Sequence, residues 1–363
     1  MNVKLLKFLF IQILICILFF IRISKNENNN STYEDNKRIG IIAYPDDNNI
    51  GNQLLKYAMN VILKRYGFHP TLISFKCGNK PNNKFLKKHL NIKEISNYYT
   101  DLNESDYYYL IVNSDQVWAY NFIYILEIGF LSFAKFWNIT KFIYAASTGY
   151  SYWTNSTNII NSAKLLIKQF SGISIREKNS LEMIKKYLGI EPIVVLDPTF
   201  LLDKNDYLEI IKEYKIVEER TENYLCSYIL DKSEIIQNYI KNVSDLLNYN
   251  IKYIEVGVED FIEKFIFSIS ICKLIITDSY HGTIFAIIFN KPFLTFINTN
   301  RGNIRFFSLN QTFHLGNRFI NPTNFSKNDI DILTKNPDIN ISNFNLLKEQ
   351  SIRFLKRNLK LIK

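Results

Sequence analysis

The chain has 363 residues, 47% of them hydrophobic, which is enough for two ordinary cores, so we expect two domains. The formal net charge of +10 fits partners that carry phosphate or carboxylate groups, or an anionic membrane surface. No zinc-finger, helix-turn-helix or RNP-like pattern is present, so we expect no nucleic-acid partner. The four cysteines lack C-x-x-C spacing, which predicts neither a disulfide framework nor a metal site, and we expect Cys272 to pack as a small hydrophobe.

The N-terminal segment, residues 1–25, has the pattern of a signal anchor. Basic residues flank the apolar run FLFIQILICILFF at both ends. Residues 4–23 come close to the length of about 20 that spans a bilayer, and no small-residue cleavage site follows them. We therefore favour an uncleaved single-pass anchor over a removed signal peptide, with residues 26–37 as a flexible polar stalk. This predicts a membrane protein, in the secretory pathway or Golgi if the source is eukaryotic.

The first domain is predicted to span residues 38–205 and to begin with a βαβ unit. An apolar strand at 39–43, an amphipathic helix at 53–66 and a strand at 71–75 form this unit. The dinucleotide fingerprint G-x-G-x-x-G is absent. Further buried strands are predicted at 107–112, 141–146, 172–175 and 193–196, with helices at 162–170 and 180–188.

Polar side chains follow several of these strands where each strand ends. Asn52 lies after the first strand, Asp115 after the strand at 107–112, and Arg176 directly after the strand at 172–175. The carboxyl ends of parallel strands meet at one edge of a sheet, which is where open α/β folds bind ligands. The simpler alternatives are a helix cap for Asn52 and a surface ion pair of little weight for Arg176 with Glu177.

The second domain is predicted to span residues 206–342, after a charged helical stretch at 203–222. Strands are predicted at 224–230, 252–256, 274–277 and 293–297, and helices at 234–247, 261–272 and 283–289. Residues 343–363 form a basic helix. For this helix we favour a solvated face, with packing across the two domains as the alternative.

The stretch DSYHG at 278–282 is the strongest candidate site. It joins the buried strand at 274–277 to the N-terminus of an apolar helix, where an anion gains from free N–H groups and the helix dipole. His281 is one of four histidines in the chain. The alternative is that Ser279 caps the helix and His281 is a satisfied loop residue.

The ordered set of motifs resembles the polysaccharide pyruvyl transferase family. The motifs are GNQL at 51–54, SDQVW at 114–118, YAASTG at 144–149, SIRE at 174–177, LDPT at 196–199 and TDSYHG at 277–282. The resemblance covers residues 38–320. It implies an α/β fold of two Rossmann-like domains that face a central cleft in a GT-B-like arrangement, here preceded by the membrane anchor.

The resemblance also implies the transfer of pyruvate from phosphoenolpyruvate to a sugar of a polysaccharide or glycan. The product is a pyruvate ketal and phosphate is released, with phosphoenolpyruvate as co-substrate and no cofactor. The alternatives are a glycosyltransferase of the same architecture that uses a nucleotide sugar, and a non-catalytic glycan-binding relative.

The donor carries a carboxylate and a phosphate, which arginines and helix N-termini bind well. The residues expected to bind it are Arg176, Ser279, Gly282, Arg301 and Arg305. Some family members have an arginine where this chain has Ser279, so Arg301 or Arg305 would have to supply that cation.

The reaction needs an acid for the methylene carbon, a base for the sugar hydroxyl and a stabilised leaving phosphate. We expect His281 to act on the phosphate, Asp278 to orient His281, and Asp115 or Glu177 to serve as acid or base. For the acceptor, we expect Asn52, Gln116 and Trp118 to line the site, with Trp118 stacking on a sugar ring.

Overall fold

The computed structural model describes residues 35–45, 49–75, 84–213, 223–255, 257–258, 260–320 and 330–363. The predicted anchor at 1–25 lies outside the described residues, as does most of the predicted stalk at 26–37. Within the described part, no helix is both long and apolar enough to cross a bilayer. The membrane location therefore stays a prediction.

The first domain is built on a seven-stranded parallel sheet with the strand order β3-β2-β1-β4-β5-β6-β7. The strands are β1 (Arg38–Ile42), β2 (His69–Phe75), β3 (Asn91–Ile95), β4 (Tyr109–Val112), β5 (Thr140–Ala146), β6 (Gly172–Ile175) and β7 (Ile193–Val194). The central strands are apolar on both faces because helices cover both sides of the sheet. The edge strand β3 was not predicted, since its sequence NIKEI is polar and only partly buried.

Capping residues mark several of the helix ends in this domain. They are α1 (Ile50–Arg65), α2 (Lys84–His89), α3 (Thr157–Leu166), α4 (Leu181–Leu188) and α5 (Lys204–Leu208). The side chain of Asn49 caps α1 by accepting from the Asn52 amide at 3.2 Å. Helix α3 begins earlier than predicted because the side chain of Ser156 caps its first turn. Gly189, at a φ of +70°, ends α4.

The second domain has a five-stranded parallel sheet with the order β12-β11-β10-β8-β9. Its strands are β8 (Tyr224–Tyr228), β9 (Asn250–Tyr253), β10 (Leu274–Thr277), β11 (Phe293–Phe296) and β12 (Phe319–Ile320). Its helices are α6 (Glu234–Leu247), α7 (Phe261–Ile271), α8 (Tyr280–Ile288), α9 (Ile304–Phe313) and α10 (Ile330–Thr334). The prediction of an α/β fold with parallel sheets is confirmed.

Two cysteines of the second domain are paired. Cys226 in β8 and Cys272, which follows α7, form a disulfide with their Cα atoms 5.8 Å apart. Both residues are fully buried. The expectation that Cys272 packs only as a small hydrophobe is therefore wrong. The two cysteines are far apart in the sequence, but the pairing of the parallel strands β8 and β10 brings them together.

One apolar cluster extends through both domains and joins their cores. Tyr207 of α5 packs edge-on against Phe285 of α8, with ring centroids 4.8 Å apart. The last helix, α11 (Ile341–Asn358), then returns to the first domain. There the Ser351 hydroxyl accepts from the Leu196 amide at 2.8 Å, and Phe354 packs on Tyr144 at 6.1 Å. The C-terminal helix thus buries one face on the first domain and so ties the domains together.

We predict that Phe354→Ala lowers the free energy of unfolding by about 3–5 kcal/mol, because the ring fills a buried position on α11. Leu346→Ala is the matched control, since this residue of the same helix is 63% exposed and its loss should change stability by less than about 0.5 kcal/mol. Urea unfolding of both variants measures the difference. Equal effects would show that α11 does not pack on the first domain.

Candidate functional site

The loop between β10 and α8 positions His281 in the first turn of α8. The Ser279 side chain caps this helix by accepting from the Gly282 amide at 3.3 Å. His281 is only 4% exposed, and its Nε2 atom has no hydrogen-bond partner within the described residues. The capping role expected for Ser279 is therefore present, but His281 is not a satisfied loop residue. A buried nitrogen without a partner is costly, which marks this atom as a candidate for ligand contact.

The imidazole of His281 packs directly on the backbone of Gly51. A Cβ atom added to Gly51 would overlap the ring at Nδ1 and Cγ, so only glycine fits there. Gly51 lies in the first turn of α1, and His281 lies in the first turn of α8. The N-termini of these two helices, one from each domain, therefore face each other, and both favour negative charge.

Arg176 is the most heavily bonded residue of the site. From the end of β6 its guanidinium donates to Glu177 at 2.9 Å and to Asp197 at 2.7 Å, and it lies 3.5 Å from Asp115. Its side chain is almost fully buried and also lies over the Tyr280 ring, 4.6 Å from the centroid. The surface-pair alternative is therefore wrong for Arg176, because carboxylates from several strand ends enclose it.

Asn52 and Asp115 meet where the strand order of the first sheet changes direction, between β1 and β4. The Asn52 amide donates to Asp115 at 3.0 Å. The other side-chain atom of Asn52, Oδ1, is buried and has no partner among the described residues. This is the position at which open α/β sheets bind ligands, as the sequence predicted.

Asp197, rather than Asp278, faces His281. The Asp197 carboxylate lies 3.6 Å from His281 Nε2, and it also accepts from the side chain of Thr199 at 2.6 Å. This corrects the expectation that Asp278 orients His281. These near neighbours in the sequence point apart because Asp278 directly follows the strand β10, while His281 belongs to the helix α8.

Asp278 instead bridges two strands of the second sheet. Its carboxylate accepts from the amides of Leu230 and Asp231 at 2.6 and 3.0 Å, and from the Asn298 side chain at 3.0 Å. These amides follow β8, where the order of the second sheet changes direction. The chain's own carboxylate therefore occupies the N–H donors that would otherwise be open to an anion.

The two arginines proposed as substitute cations differ in their partners. Arg301 forms a bidentate pair with Asp231, at 2.7 and 2.8 Å, and is partly exposed. Arg305 is buried, and its hydrogen bonds within the described residues go to the carbonyls of Gly302 and Arg301. It also lies over the Tyr280 ring, 5.1 Å from the centroid. Arg305 is thus a buried cation without a described carboxylate partner.

The pKa values follow from this arrangement. Burial alone would raise the pKa of Asp197, but the neighbouring His281 and the charge of Arg176 hold that pKa well below its usual range. The pKa of Asp115 is also lowered, because Arg176, His281 and the Asn52 amide outweigh its burial. Burial and the charge of Arg176 lower the pKa of Arg305. Both aspartates are therefore ionised at neutral pH.

Of the remaining predicted residues, Glu177 and Gln116 lie at the site and Trp118 does not. Glu177 Oε2 is buried without a partner in the described part of the chain, and Gln116 donates across the domains to the Arg301 carbonyl at 3.3 Å. Trp118 is 1% exposed, donates to the Gly129 carbonyl and stacks on Phe130 at 5.3 Å. The structure thus gives Trp118 a core position, without an open face for a sugar ring.

A cavity of about 740 Å³ borders this cluster between the domains. Arg176, Asp197 and Tyr280 form one wall, and α9 and α11 supply others. His281 and Asp115 do not line it. Within the described residues, no group of three or more histidine, cysteine or acidic side chains is arranged to hold a metal ion.

Sequence reasoning did not assign roles to Asp197, Gly51 and Tyr280. Asp197 followed a predicted strand in the same way as Arg176, so its position was a usable signal. The need for glycine at position 51 depends on a histidine 230 positions later in the chain, which only the fold brings near. Tyr280 belongs to the candidate stretch DSYHG, but sequence reasoning assigned no role to its ring, over which both buried arginines lie.

The sequence matches the model of the polysaccharide pyruvyl transferase family over residues 49–300, more than half of the chain. No curated protein sequence is significantly similar to it.

Among solved structures, the UDP-GlcNAc 2-epimerase from Methanocaldococcus jannaschii is similar, with a TM-score of 0.54 and 13% identity over 88% of this chain and 99% of that one. UGT89C1 from Arabidopsis thaliana, solved with UDP-L-rhamnose, has a TM-score of 0.54 and 8% identity, over 89% of this chain and 97% of that one. At these identities the likeness concerns the fold alone, and it supports the GT-B-like arrangement.

We predict that Gly51→Ala destabilises the protein by about 1–3 kcal/mol, because the new methyl group overlaps the His281 ring. In a His281→Ala background the same substitution should be neutral or slightly stabilising, because alanine favours helix over glycine. Urea unfolding of the two single variants and the double variant gives the coupling. An equal penalty in both backgrounds would mean that the two residues do not touch.

We also predict a pH-dependent defect for Arg176→Met. At neutral pH the variant leaves buried carboxylates without their counter-charge, which should cost about 3–5 kcal/mol. The carboxylates Asp115 and Asp197 have lowered pKa values, so the wild type keeps their contribution above about pH 4 and loses it as the pH falls further.

The stability gap between the variant and the wild type should therefore narrow as the pH falls from 7 to 4, because protonation relieves the unpaired carboxylates. Urea unfolding at several pH values measures the gap. Arg65→Met is the control, since it breaks a more exposed pair with Asp206 and should cost less than about 1 kcal/mol at every pH. A gap that is constant with pH would contradict the assignment of Arg176 as the counter-ion.

Proposed function

Because the chain belongs to the polysaccharide pyruvyl transferase family, we propose that it transfers pyruvate from phosphoenolpyruvate to a sugar of a polysaccharide or glycan. The product is a ketal that bridges two hydroxyls, and phosphate is released. The observation that carries the proposal is the buried Nε2 of His281, which has no hydrogen-bond partner in the described part of the chain. It lies 3.6 Å from the ionised Asp197, between the N-termini of two helices.

The donor needs positive potential for a phosphate and a carboxylate. Arg176 cannot supply most of it, because Asp115, Glu177 and Asp197 already neutralise its charge. Arg301 is likewise paired, with Asp231. We therefore assign the donor chiefly to Arg305 and to the N-termini of α1 and α8, and assign Arg176 to holding the carboxylates in place.

The reaction proceeds in two additions. Protonation of the donor's methylene carbon makes the adjacent carbon electrophilic, and a first sugar hydroxyl adds to it. Phosphate then leaves, and a second hydroxyl on the sugar closes the ketal ring. His281 stabilises and protonates the departing phosphate, and the ionised Asp115 accepts a proton from an attacking hydroxyl. Glu177, which is paired with Arg176 and whose Oε2 is buried without a partner among the described residues, is the candidate base for the other hydroxyl. The two protons that the hydroxyls release balance those taken up by the methylene carbon and by the phosphate.

The arrangement of Asp278 argues against a nucleotide sugar as donor. The amides after β8 face the point where the second sheet changes direction, a position suited to a ligand phosphate. Those of Leu230 and Asp231 are already bonded to the Asp278 carboxylate. A phosphate at that place would meet a negative charge instead of open donors.

We predict that the purified protein releases phosphate from phosphoenolpyruvate only when a suitable glycan is present. His281→Ala should reduce this rate by about 10²–10⁴-fold, as expected for loss of a general acid. The control is His69→Ala, which changes an exposed histidine at the start of β2. Phosphate release and mass spectrometry of the glycan, with a gain of a pyruvate ketal, are the measurements.

Several results would count against the proposal. Unchanged turnover in His281→Ala, with the variant folded, would remove His281 from the reaction. Turnover of a nucleotide sugar in place of phosphoenolpyruvate would indicate a glycosyltransferase. Glycan binding without turnover of either donor would indicate a non-catalytic relative.

A further inference from the structure

Because Trp118 is buried in the core, it does not provide the aromatic surface that the sequence suggested for the acceptor sugar. Three tyrosines, one of which closely follows Trp118 in the sequence, are grouped together in the fold. Tyr120, Tyr150 and Tyr152 form a cluster whose ring centroids are 5.1 Å apart for Tyr120–Tyr150, 5.2 Å for Tyr120–Tyr152 and 5.7 Å for Tyr150–Tyr152. Tyr152 is 47% exposed, and the other two are partly buried. We call these residues the tyrosine cluster. Nothing in the proposed reaction uses them so far.

The tyrosine cluster lies on the two loops that form the candidate site. One loop runs from Asp115 to Tyr120 and the other from Ala146 to Tyr152. The loops are joined by backbone bonds, from the Ser147 amide to the Asp115 carbonyl at 2.9 Å and from the Trp118 amide to the Ser147 carbonyl at 3.1 Å. The loop that presents the Asp115 carboxylate to Arg176 therefore also carries Tyr120.

Both loops contact the second domain immediately beside the cluster. Gln116 donates to the Arg301 carbonyl at 3.3 Å. Gly302 has a φ of +91°, and a Cβ added there would collide with the carbonyl of Gly149, the residue before Tyr150. The tyrosine cluster thus lies where the two domains meet, on the carboxyl edge of the first sheet.

The cluster is held in place rather than loosely exposed. With its amide oriented to satisfy both partners, Asn155 donates to the Tyr120 carbonyl and accepts from Trp153 Nε1, each at 2.7 Å. The Thr148 hydroxyl donates to the Tyr150 carbonyl at 3.0 Å. These bonds fix the backbone of the loops, and a tyrosine side chain has only two torsions to lose when a ligand binds it.

We propose that the tyrosine cluster is the acceptor subsite and that it binds a pyranose ring of the glycan. The C–H groups on one face of a pyranose carry partial positive charge and pack against the electron-rich face of an aromatic ring. Tyrosine hydroxyls at the ring edges can bond to the sugar hydroxyls. The three rings carry no formal charge, which suits a neutral sugar better than a phosphate or an acidic ligand.

This inference rests on the proposed function in one respect, namely that the bound glycan is the acceptor. A pyranose on the cluster would place the neighbouring part of the glycan toward Asp115, along the loop that carries both. The cluster would then determine which sugars are used, while Asp115 and His281 act on the reacting groups.

Binding in the absence of donor tests the cluster directly. Saturation-transfer NMR with cellotriose, maltotriose, mannotriose, galactotriose and chitotriose should detect at least one ligand of the wild type. Tyr152→Ala should weaken its affinity roughly tenfold or more, as for loss of an aromatic anchor. Tyr152→Phe keeps the ring and should retain most binding. Tyr253→Ala, an exposed tyrosine of the second domain, is the matched control and should bind as the wild type does.

Turnover separates this inference from the proposed function. If acceptor-dependent phosphate release occurs, Tyr152→Ala should raise the KM for the glycan roughly tenfold and leave the KM for phosphoenolpyruvate unchanged. An unchanged glycan KM would overturn the subsite while the proposed function stands. Tyrosine-dependent glycan binding without phosphate release would keep the subsite and overturn the donor chemistry. No binding of any trisaccharide, or equal binding by Tyr152→Ala, overturns the subsite outright.

Discussion

The burial of the Arg176 guanidinium among carboxylates is the constraint on which the site depends. Taking a charge out of water costs several kcal/mol, and the attraction between ions offsets this only when the geometry is good and the remaining donors are satisfied. Here Asp115, Glu177 and Asp197 meet that condition from the ends of neighbouring strands. A shift of one strand relative to another would leave an unpaired charge, so the ion cluster fixes how the carboxyl edge of the first sheet is assembled.

The ion cluster around Arg176 also determines which cations in the cleft keep a net positive charge. Because carboxylates neutralise Arg176, we assign this residue to holding Asp115 and Asp197 ionised and in position. The groups that we propose for binding the anion are then Arg305 and the paired helix N-termini. Asp197 connects the two parts, since it accepts from Arg176 and lies 3.6 Å from His281 of the other domain. The site is therefore assembled only when the domains are in contact.

Several features keep the domains in that contact. Tyr207 and Phe285 join the two cores, the C-terminal helix packs back on the first domain, and the Gly149–Gly302 approach leaves no room for a side chain. The packing of His281 on Gly51 adds a contact within the site itself. Chemistry and domain packing therefore depend on the same few residues, which explains why small side chains occur where the domains touch.

The sequence by itself determined the alternation of strands and helices, the two parallel sheets and the edge at which polar residues collect, because hydrophobic periodicity and capping are local properties. It also identified Arg176, His281, Asp115 and Asn52 as members of one site. Only the tertiary structure decided which of these residues touch. It replaced Asp278 with Asp197 as the partner of His281, moved Trp118 into the core, paired Cys226 with Cys272 and placed the tyrosine cluster beside the site. Such pairings depend on strand order and domain packing, and these bring together residues whose separation along the chain carries no local signal.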